Sequence, residues 1–281
     1  MTDANRPATH GAPRLAGKVV MVVGGGTDPA AVAGGTAELA IGNGRATAIV
    51  CAREGAQVVV ADRDRRAAQE TVDAITGEGL TAEAVPCDVT EEHQCRDAVD
   101  AAVQRFGALH GLVNNVGIGD GRSIVDTAAD DLDRAYAVNL RGHFLMVKYA
   151  LPAIERAGGG AIVNVSSINA VRSAAGVAYE ITKAALHGLT RNVAVTAGRR
   201  NVRVNSVLPG AIDSPMLHLA LSSAGFSPEM VIDRVAQRVP LGRPGSPWEV
   251  ATAIAFLLSD DASYISGIDL LVDGGLSVPQ P

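Results

Sequence analysis

Tyr179 and Lys183 stand four residues apart in the stretch Ala178-Tyr179-Glu180-Ile181-Thr182-Lys183-Ala184-Ala185. On a helix that spacing puts a phenol and an ammonium on one face, where both can act on a single atom. A free phenol has a pKa near ~10, so acid/base work near neutral pH requires the phenolate to be stabilised, which a neighbouring ammonium does. Tyr179 is thus a candidate proton donor and Lys183 its tuner. Upstream, Ile162-Val163-Asn164-Val165-Ser166-Ser167 is an apolar run that ends in hydroxyls, which reads as a buried strand delivering a serine to a sheet edge. Ser167 is placed to hydrogen-bond a substrate oxygen. A tyrosine and a lysine at this spacing are, taken alone, more often a surface pair; the strand and the serines supply the context.

The elements that must carry these residues begin with Lys18-Val19-Val20-Met21-Val22-Val23, a continuous apolar run stopped by Gly24-Gly25-Gly26. Such a run fits a central parallel strand buried on both faces. A second run, Gln57-Val58-Val59-Val60-Ala61, ends in Asp62, and between the two Gly42-Asn43-Gly44 opens a helix. Strand, glycine turn, helix, strand and acid make a dinucleotide-binding unit. Glycines at Gly24, Gly42 and Gly44 let backbone amides and the positive helix end approach a pyrophosphate. Asp62, at the tip of the second strand, would bond the adenosine ribose hydroxyls and repel a 2′-phosphate, which favours NAD over NADP. Arg45, Arg63, Arg65 and Arg66 lie close enough in sequence to meet such a phosphate, Arg63 above all, so NADP stays open.

Composition agrees with one enzyme-sized α/β core. The chain has 281 residues, 47% apolar and 19% charged, which argues for a well-buried globule. Aromatic residues make up 3%, so Ala, Val, Leu and Ile must fill the interior. A net charge of -6 argues against nucleic acid or an anionic membrane as partner. Cys51, Cys87 and Cys95 lack metal-ligand spacing and read as reduced, buried thiols. No run approaches the roughly 18 apolar residues of a membrane span and residues 1–14 lack an apolar signal core, so the expectation is a cytoplasmic protein. Residues 1–16 read as a flexible lead-in, 17–276 as a single catalytic domain and 277–281 as a tail.

The apolar strand, the serine pair, Tyr179, Lys183 and the following Ala184-Ala185-Leu186 together resemble the active-site segment of the short-chain dehydrogenase/reductase family, whose signature is Ser followed by Tyr-x-x-x-Lys. The resemblance runs from about Gly17 to Gly275 and implies a single-domain Rossmann fold, a doubly wound parallel sheet of about seven strands. It implies reversible hydride transfer between a nicotinamide and a secondary alcohol or ketone, small to medium in size and fairly apolar. In that scheme Tyr179 exchanges the alcohol proton, Ser167 holds the oxygen, and Lys183 lowers the phenol pKa and grips the nicotinamide ribose. The family places about a dozen residues between Ser and Tyr; Ser167 leaves eleven and Ser166 twelve, so Ser166 is the fallback.

Other positions carry over one by one. Asp88, in Cys87-Asp88-Val89-Thr90, resembles the family's adenine-binding aspartate, with a helix cap as the plainer reading. Asn114-Asn115-Val116-Gly117 stands where the family has Asn-Asn-Ala-Gly, and Asn114 is expected to brace the sheet and line the adenosine side. Asn139, inside a long helix expected over residues 131–157, matches the asparagine whose carbonyl-bound water continues the proton path. Pro209, Ile212 and Ser214 match the segment that holds the nicotinamide carboxamide. His143 and His187 carry no assignment. Residues 217–240, interrupted by Gly225 and Pro228, correspond to the substrate lid, and a homotetramer or homodimer is expected from the family. The glycine pattern departs: Gly24 and Gly42 have seventeen residues between them where the family has three. The extra residues, about 28–40, read either as a flap over the cofactor mouth or as a tolerated surface loop. Two further readings remain, an NADPH-dependent 3-oxoacyl ketoreductase and a nucleotide-binding protein without turnover.

Overall fold

The computed structural model describes residues 13–27, 41–119, 121–173, 176–222 and 227–278. The expected insert at 28–40, Gly225 in the lid, most of the lead-in and the last three residues of the tail lie outside the described residues.

Seven parallel strands form one sheet in the order β3-β2-β1-β4-β5-β6-β7. They are β1 (Val19–Val23), β2 (Gln57–Asp62), β3 (Ala82–Pro86), β4 (Gly111–Asn114), β5 (Gly160–Val165), β6 (Val202–Pro209) and β7 (Asp269–Val272). The central strands are short runs of Val, Ile and Met buried on both sides, as a parallel sheet covered by helices on both faces requires. Alternation along β1 sorts the core. Val20 and Val22 join one apolar cluster, whereas Val19, Met21 and Val23 join the other.

The first cluster is closed by α1 (Asn43–Arg53), α2 (Arg65–Thr76) and α9 (Pro247–Leu258), the second by α3 (Glu92–Phe106), α5 (Gly142–Arg156) and α6 (Val177–Ala197). The order in which successive strands are added reverses between β1 and β4, and at this switch point the carboxyl ends of the strands leave a crevice. Gly24, Asp62, Asn114, Ser167 and Pro209 all lie at or just beyond strand ends on that edge.

Local signals set several helix ends. Asp64 caps α2, its carboxylate accepting from the amides of Arg66 and Ala67. Ser246 and Glu249 form a reciprocal capping box at α9, with Pro247 in its first turn.

The long helix expected over 131–157 is not a single α-helix. It begins earlier, as α4 (Ala129–Tyr136), passes through a π-helical turn (Ala137–Arg141) and continues as α5. One residue is inserted where Asn139 must turn inward, and π-bulges commonly sit at functional positions for this reason. The expected lid contains α7 (Pro215–Ser222) and α8 (Pro228–Ala236). Cys51, Cys87 and Cys95 are free and buried. No helix among the described residues is long and apolar enough to cross a membrane.

Candidate active site

Tyr179 is the third residue of α6, whose start is set by Gly176 at φ +90°. The positive end of the helix lies beside the phenol's own turn and favours negative charge there. Ser167, just beyond β5, lies beside the phenol, where its hydroxyl opposes the rise that burial imposes on the phenol pKa. Ser166 faces elsewhere: its hydroxyl donates to the Lys183 carbonyl at 2.8 Å and meets His187 Nε2 at 3.1 Å. The two hydroxyls therefore part, Ser167 on the side of the phenol and Ser166 as a brace between β5 and α6.

Lys183 is 2% exposed. Its ammonium donates to Val165 O at 2.8 Å and Val116 O at 3.2 Å and lies 5.8 Å from the centroid of the Tyr179 ring. Burial brings its pKa down from the usual lysine value to about 7. Burial dominates Tyr179 and raises its pKa, the Ser167 hydroxyl works against that rise, and Lys183 is committed to two backbone carbonyls.

The strand following the switch point supplies the other wall. Asn139 is fully buried and holds Ile118 twice, accepting from its amide at 2.8 Å and donating to its carbonyl at 2.8 Å. Its amide also donates to Thr182 Oγ1 at 3.0 Å, tying the π turn to α6. The same loop needs glycine where it touches Tyr179 and Lys183. A Cβ on Gly117 would sit 3.0 Å from Lys183 Nζ, and one on Gly119 would sit 3.1 Å from the Tyr179 ring. His143, one turn beyond Asn139, places Nε2 at 2.9 Å from Val116 O, and burial lowers its pKa to about 3. It is therefore a neutral imidazole donating from Nε2.

At the glycine turn, Gly24 adopts φ +76°. A Cβ on Gly44 would lie 1.9 Å from Gly24 O, so α1 can start this close to the turn only with glycine there. Gly42 caps α1 without a side-chain bond to the first-turn amides, and Asn43 Oδ1 is buried without a partner among the described residues. First-turn amides that receive no side-chain cap from Gly42, and a cradle that a Cβ would fill, fit a pyrophosphate. The Asp62 carboxylate accepts from Gly26 N at 2.9 Å and Asp64 N at 3.0 Å, and burial raises its pKa.

The remaining expected contacts fall around this edge. Asp88 does not cap α3, whose cap is Glu91; it closes a turn by accepting from the Thr90 amide at 2.9 Å and hydroxyl at 2.7 Å. Asn114 braces the sheet as expected, donating to Asn164 Oδ1 at 3.0 Å and His143 O at 3.4 Å, with its own Oδ1 buried and unpaired. Pro209 ends β6, and a Cβ on the next residue, Gly210, would approach Asp273 Cα to 2.7 Å. Ile212 is buried and bridges to Gly245, while the Ser214 carbonyl accepts from Leu217 N at 3.0 Å.

Residues that the sequence did not single out complete the arrangement: Asn115, Thr71, Thr182, His143, Gly117 and Gly119. The glycines and Asn115 had a signal, since they follow an apolar strand in Asn-Asn-Val-Gly-Ile-Gly. Thr71, Thr182 and His143 had none, because each acts through a partner distant in sequence.

A family model described as enoyl-(acyl carrier protein) reductase matches residues 37–277. The chain is 39% identical to a cyclohexanol dehydrogenase of Acinetobacter over 83% of its own length and 90% of that protein. A crystal structure of a putative short-chain dehydrogenase/reductase from Burkholderia xenovorans superposes with a TM-score of 0.85 at 36% identity, covering 96% of this chain and all of that one. A 7α-hydroxysteroid dehydrogenase complexed with NADH and 7-oxo glycochenodeoxycholic acid gives 0.82 at 35% identity, covering 94% and 96%.

Proposed function

The chain belongs to the short-chain dehydrogenase/reductase family, and from that premise we propose that Asn139, Ser167, Tyr179 and Lys183 carry out its reaction. That reaction is NAD(P)-dependent interconversion of a secondary alcohol and a ketone. When bound, the nicotinamide accepts or supplies the hydride. The geometry that carries the assignment is Tyr179 in the first turn of α6, with Ser167 beside its phenol and the buried Lys183 ammonium 5.8 Å from its ring centroid. Tyr179 hands its proton to the ketone oxygen during reduction and takes it back during oxidation. Ser167 orients that oxygen, and the positive end of α6 favours the phenolate left behind. Asn139 fixes the loop against which Lys183 and Tyr179 rest. Lys183, whose ammonium lies 5.8 Å from the ring centroid, places its positive charge beside the phenolate left behind.

Gly24, Gly42 and Gly44 hold the pyrophosphate, and Asp88 and Asn114 line the adenosine side. Tyr179 and Lys183 meet the nicotinamide ribose, while Pro209, Ile212 and Ser214 meet the carboxamide. Asp62 selects NAD. A dinucleotide with a 2′-phosphate would bring a second anion to a carboxylate already desolvated by its surroundings. Titration of the purified protein with NADH and NADPH tests this. Tighter NADH binding is expected, and Asp62→Ser should narrow the ratio at least tenfold. An NADPH preference in the unmodified protein would refute it and favour the 3-oxoacyl ketoreductase reading; failure to bind either would favour a protein without turnover.

The substrate is a small-molecule alcohol or ketone taken between the Tyr179 face and the lid. The chain works in the cytoplasm as a single catalytic domain spanning 17–276, preceded by a lead-in and followed by a short tail. The residues added at 28–40 interrupt the family's glycine pattern in sequence. Self-association as a homodimer or homotetramer is supported by exposed apolar side chains on the outer helices, Tyr136, Phe144, Ile181 and Val195.

A further inference from the structure

The first glycine turn is gripped at three consecutive residues by side chains from three different elements. Asn115 Nδ2 donates to Gly24 O at 3.0 Å, Thr71 Oγ1 donates to Gly25 O at 2.8 Å, and Gly26 N donates to Asp62 Oδ2 at 2.9 Å. Asp62 and Asn115 come from strand ends on the crevice edge. Thr71 comes from the middle of α2 and is fully buried. The turn is pressed onto this helix, for a Cβ on Gly26 would lie 2.7 Å from the Ala67 Cβ, one turn before Thr71.

A hydroxyl has one proton, so its direction must be set by what it accepts. Arg45, in the first turn of α1, donates from Nε to Thr71 Oγ1 at 3.0 Å and so directs the threonine proton away from itself, toward Gly25 O at 2.8 Å, which is nearer than the other acceptor in reach, Ala67 O at 3.3 Å. The guanidinium is fixed in turn by Glu70 at 3.1 Å and the Ala67 carbonyl at 3.4 Å, and Glu70 also holds Arg66 at 3.2 Å. Two of the four arginines that could meet a 2′-phosphate are therefore tied to α2.

We infer that Thr71, aimed by Arg45, is a positioning residue that holds the first glycine turn in its phosphate-binding shape, and that Arg45 is thereby withdrawn from reading a ribose 2′-phosphate. The inference rests on the dinucleotide reading given above. It adds a cofactor-affinity determinant that lies behind the turn, on α2.

Thr71→Val keeps the shape of the side chain and removes both its donor and its acceptor, whereas Thr71→Ser keeps both. Kd for NADH and NADPH is measured on the full-length protein by nicotinamide fluorescence, with melting of the unliganded protein as a check on folding. Thr71→Val is expected to raise the NADH Kd about tenfold or more, which is about 1.4 kcal/mol, and Thr71→Ser to stay within about twofold of the unmodified protein. Arg45→Met is expected to weaken NADH and NADPH by a common factor, leaving their ratio unchanged. It also carries the test should Thr71→Val fail to fold. Unchanged NADH binding in a folded Thr71→Val, or a Thr71→Ser as weak as Thr71→Val, overturns the positioning role. Selective loss of NADPH in Arg45→Met overturns the withdrawal of Arg45. An unmodified protein that binds neither dinucleotide overturns the cofactor reading, and the inference with it.

Discussion

Lys183 is a buried lysine that the fold maintains at a cost, and that cost is measurable. Its ammonium titrates at about 7 in the folded protein and at about 10.4 in an unfolded chain. Between those values the unfolded state binds more protons, so stability rises with pH. The penalty for carrying the ammonium is full below pH ~7 and gone above pH ~10.4; integrating the linkage, it falls by about 2 to 3 kcal/mol between pH 6 and pH 9. Lys183→Met removes the titrating group while keeping an unbranched side chain of similar length. It also leaves Val165 O without its lysine partner, whereas Val116 O keeps His143. That orphan costs about 1 to 3 kcal/mol at every pH. The difference in unfolding free energy between the two proteins cancels every other titration. From urea unfolding at fixed protein concentration, the variant is expected to be at least as stable as the parent at pH 6 and to lose about 2 to 3 kcal/mol of relative stability by pH 9. Curves that run parallel across this range would refute the claim that burial holds Lys183 near neutrality.

Two further substitutions probe the framework. Asn139→Ala leaves both polar groups of Ile118 and the Thr182 hydroxyl without this partner, so it should destabilise the protein by about 2 to 4 kcal/mol in urea unfolding. Turnover should fall with it. Gly44→Ala puts a methyl 1.9 Å from Gly24 O, so either α1 or the turn must move. NADH affinity should fall at least about tenfold, while the overall cost in stability stays near 1 to 3 kcal/mol, as for other overpacked sites.

Much of this was legible in the chain. Each buried parallel strand is a run of Val, Ile or Met too short for a helix, and each is followed by the turn chemistry that ends it. Gly24, Asp62 and Asn114 could be placed at strand ends for that reason, and Tyr179 and Lys183 on one helix face by their spacing. Other features were not legible. The choice between Ser166 and Ser167 depends on how the chain leaves β5, and a one-residue rotation exchanges the two hydroxyls between core and crevice. The π turn at Asn139 has no signature in periodicity, because it is set by the bond to Ile118 across 21 residues of sequence. The pKa of Tyr179 could not be read from its neighbour Lys183, since burial outweighs proximity and the ammonium is drawn to backbone carbonyls instead. His143 illustrates the same limit. Nothing in the sequence distinguishes a surface histidine from one buried against a carbonyl that Lys183 also bonds.

The central claim is that Tyr179 moves the proton while most of the cofactor affinity comes from other groups, and Tyr179→Phe tests it most directly. The variant removes one oxygen from a site whose helix, lysine and glycine turn remain in place. Secondary alcohols are offered with NAD+, and the appearance of reduced nicotinamide is followed for the variant and the parent, alongside the Kd of each for NADH. The parent is expected to turn over at least one such alcohol, and the variant to lose turnover by about a thousandfold or more, within the range of positioned acid/base groups and their coupled contacts, while binding NADH within about threefold of the parent. Turnover retained in the variant would contradict the assignment of Tyr179.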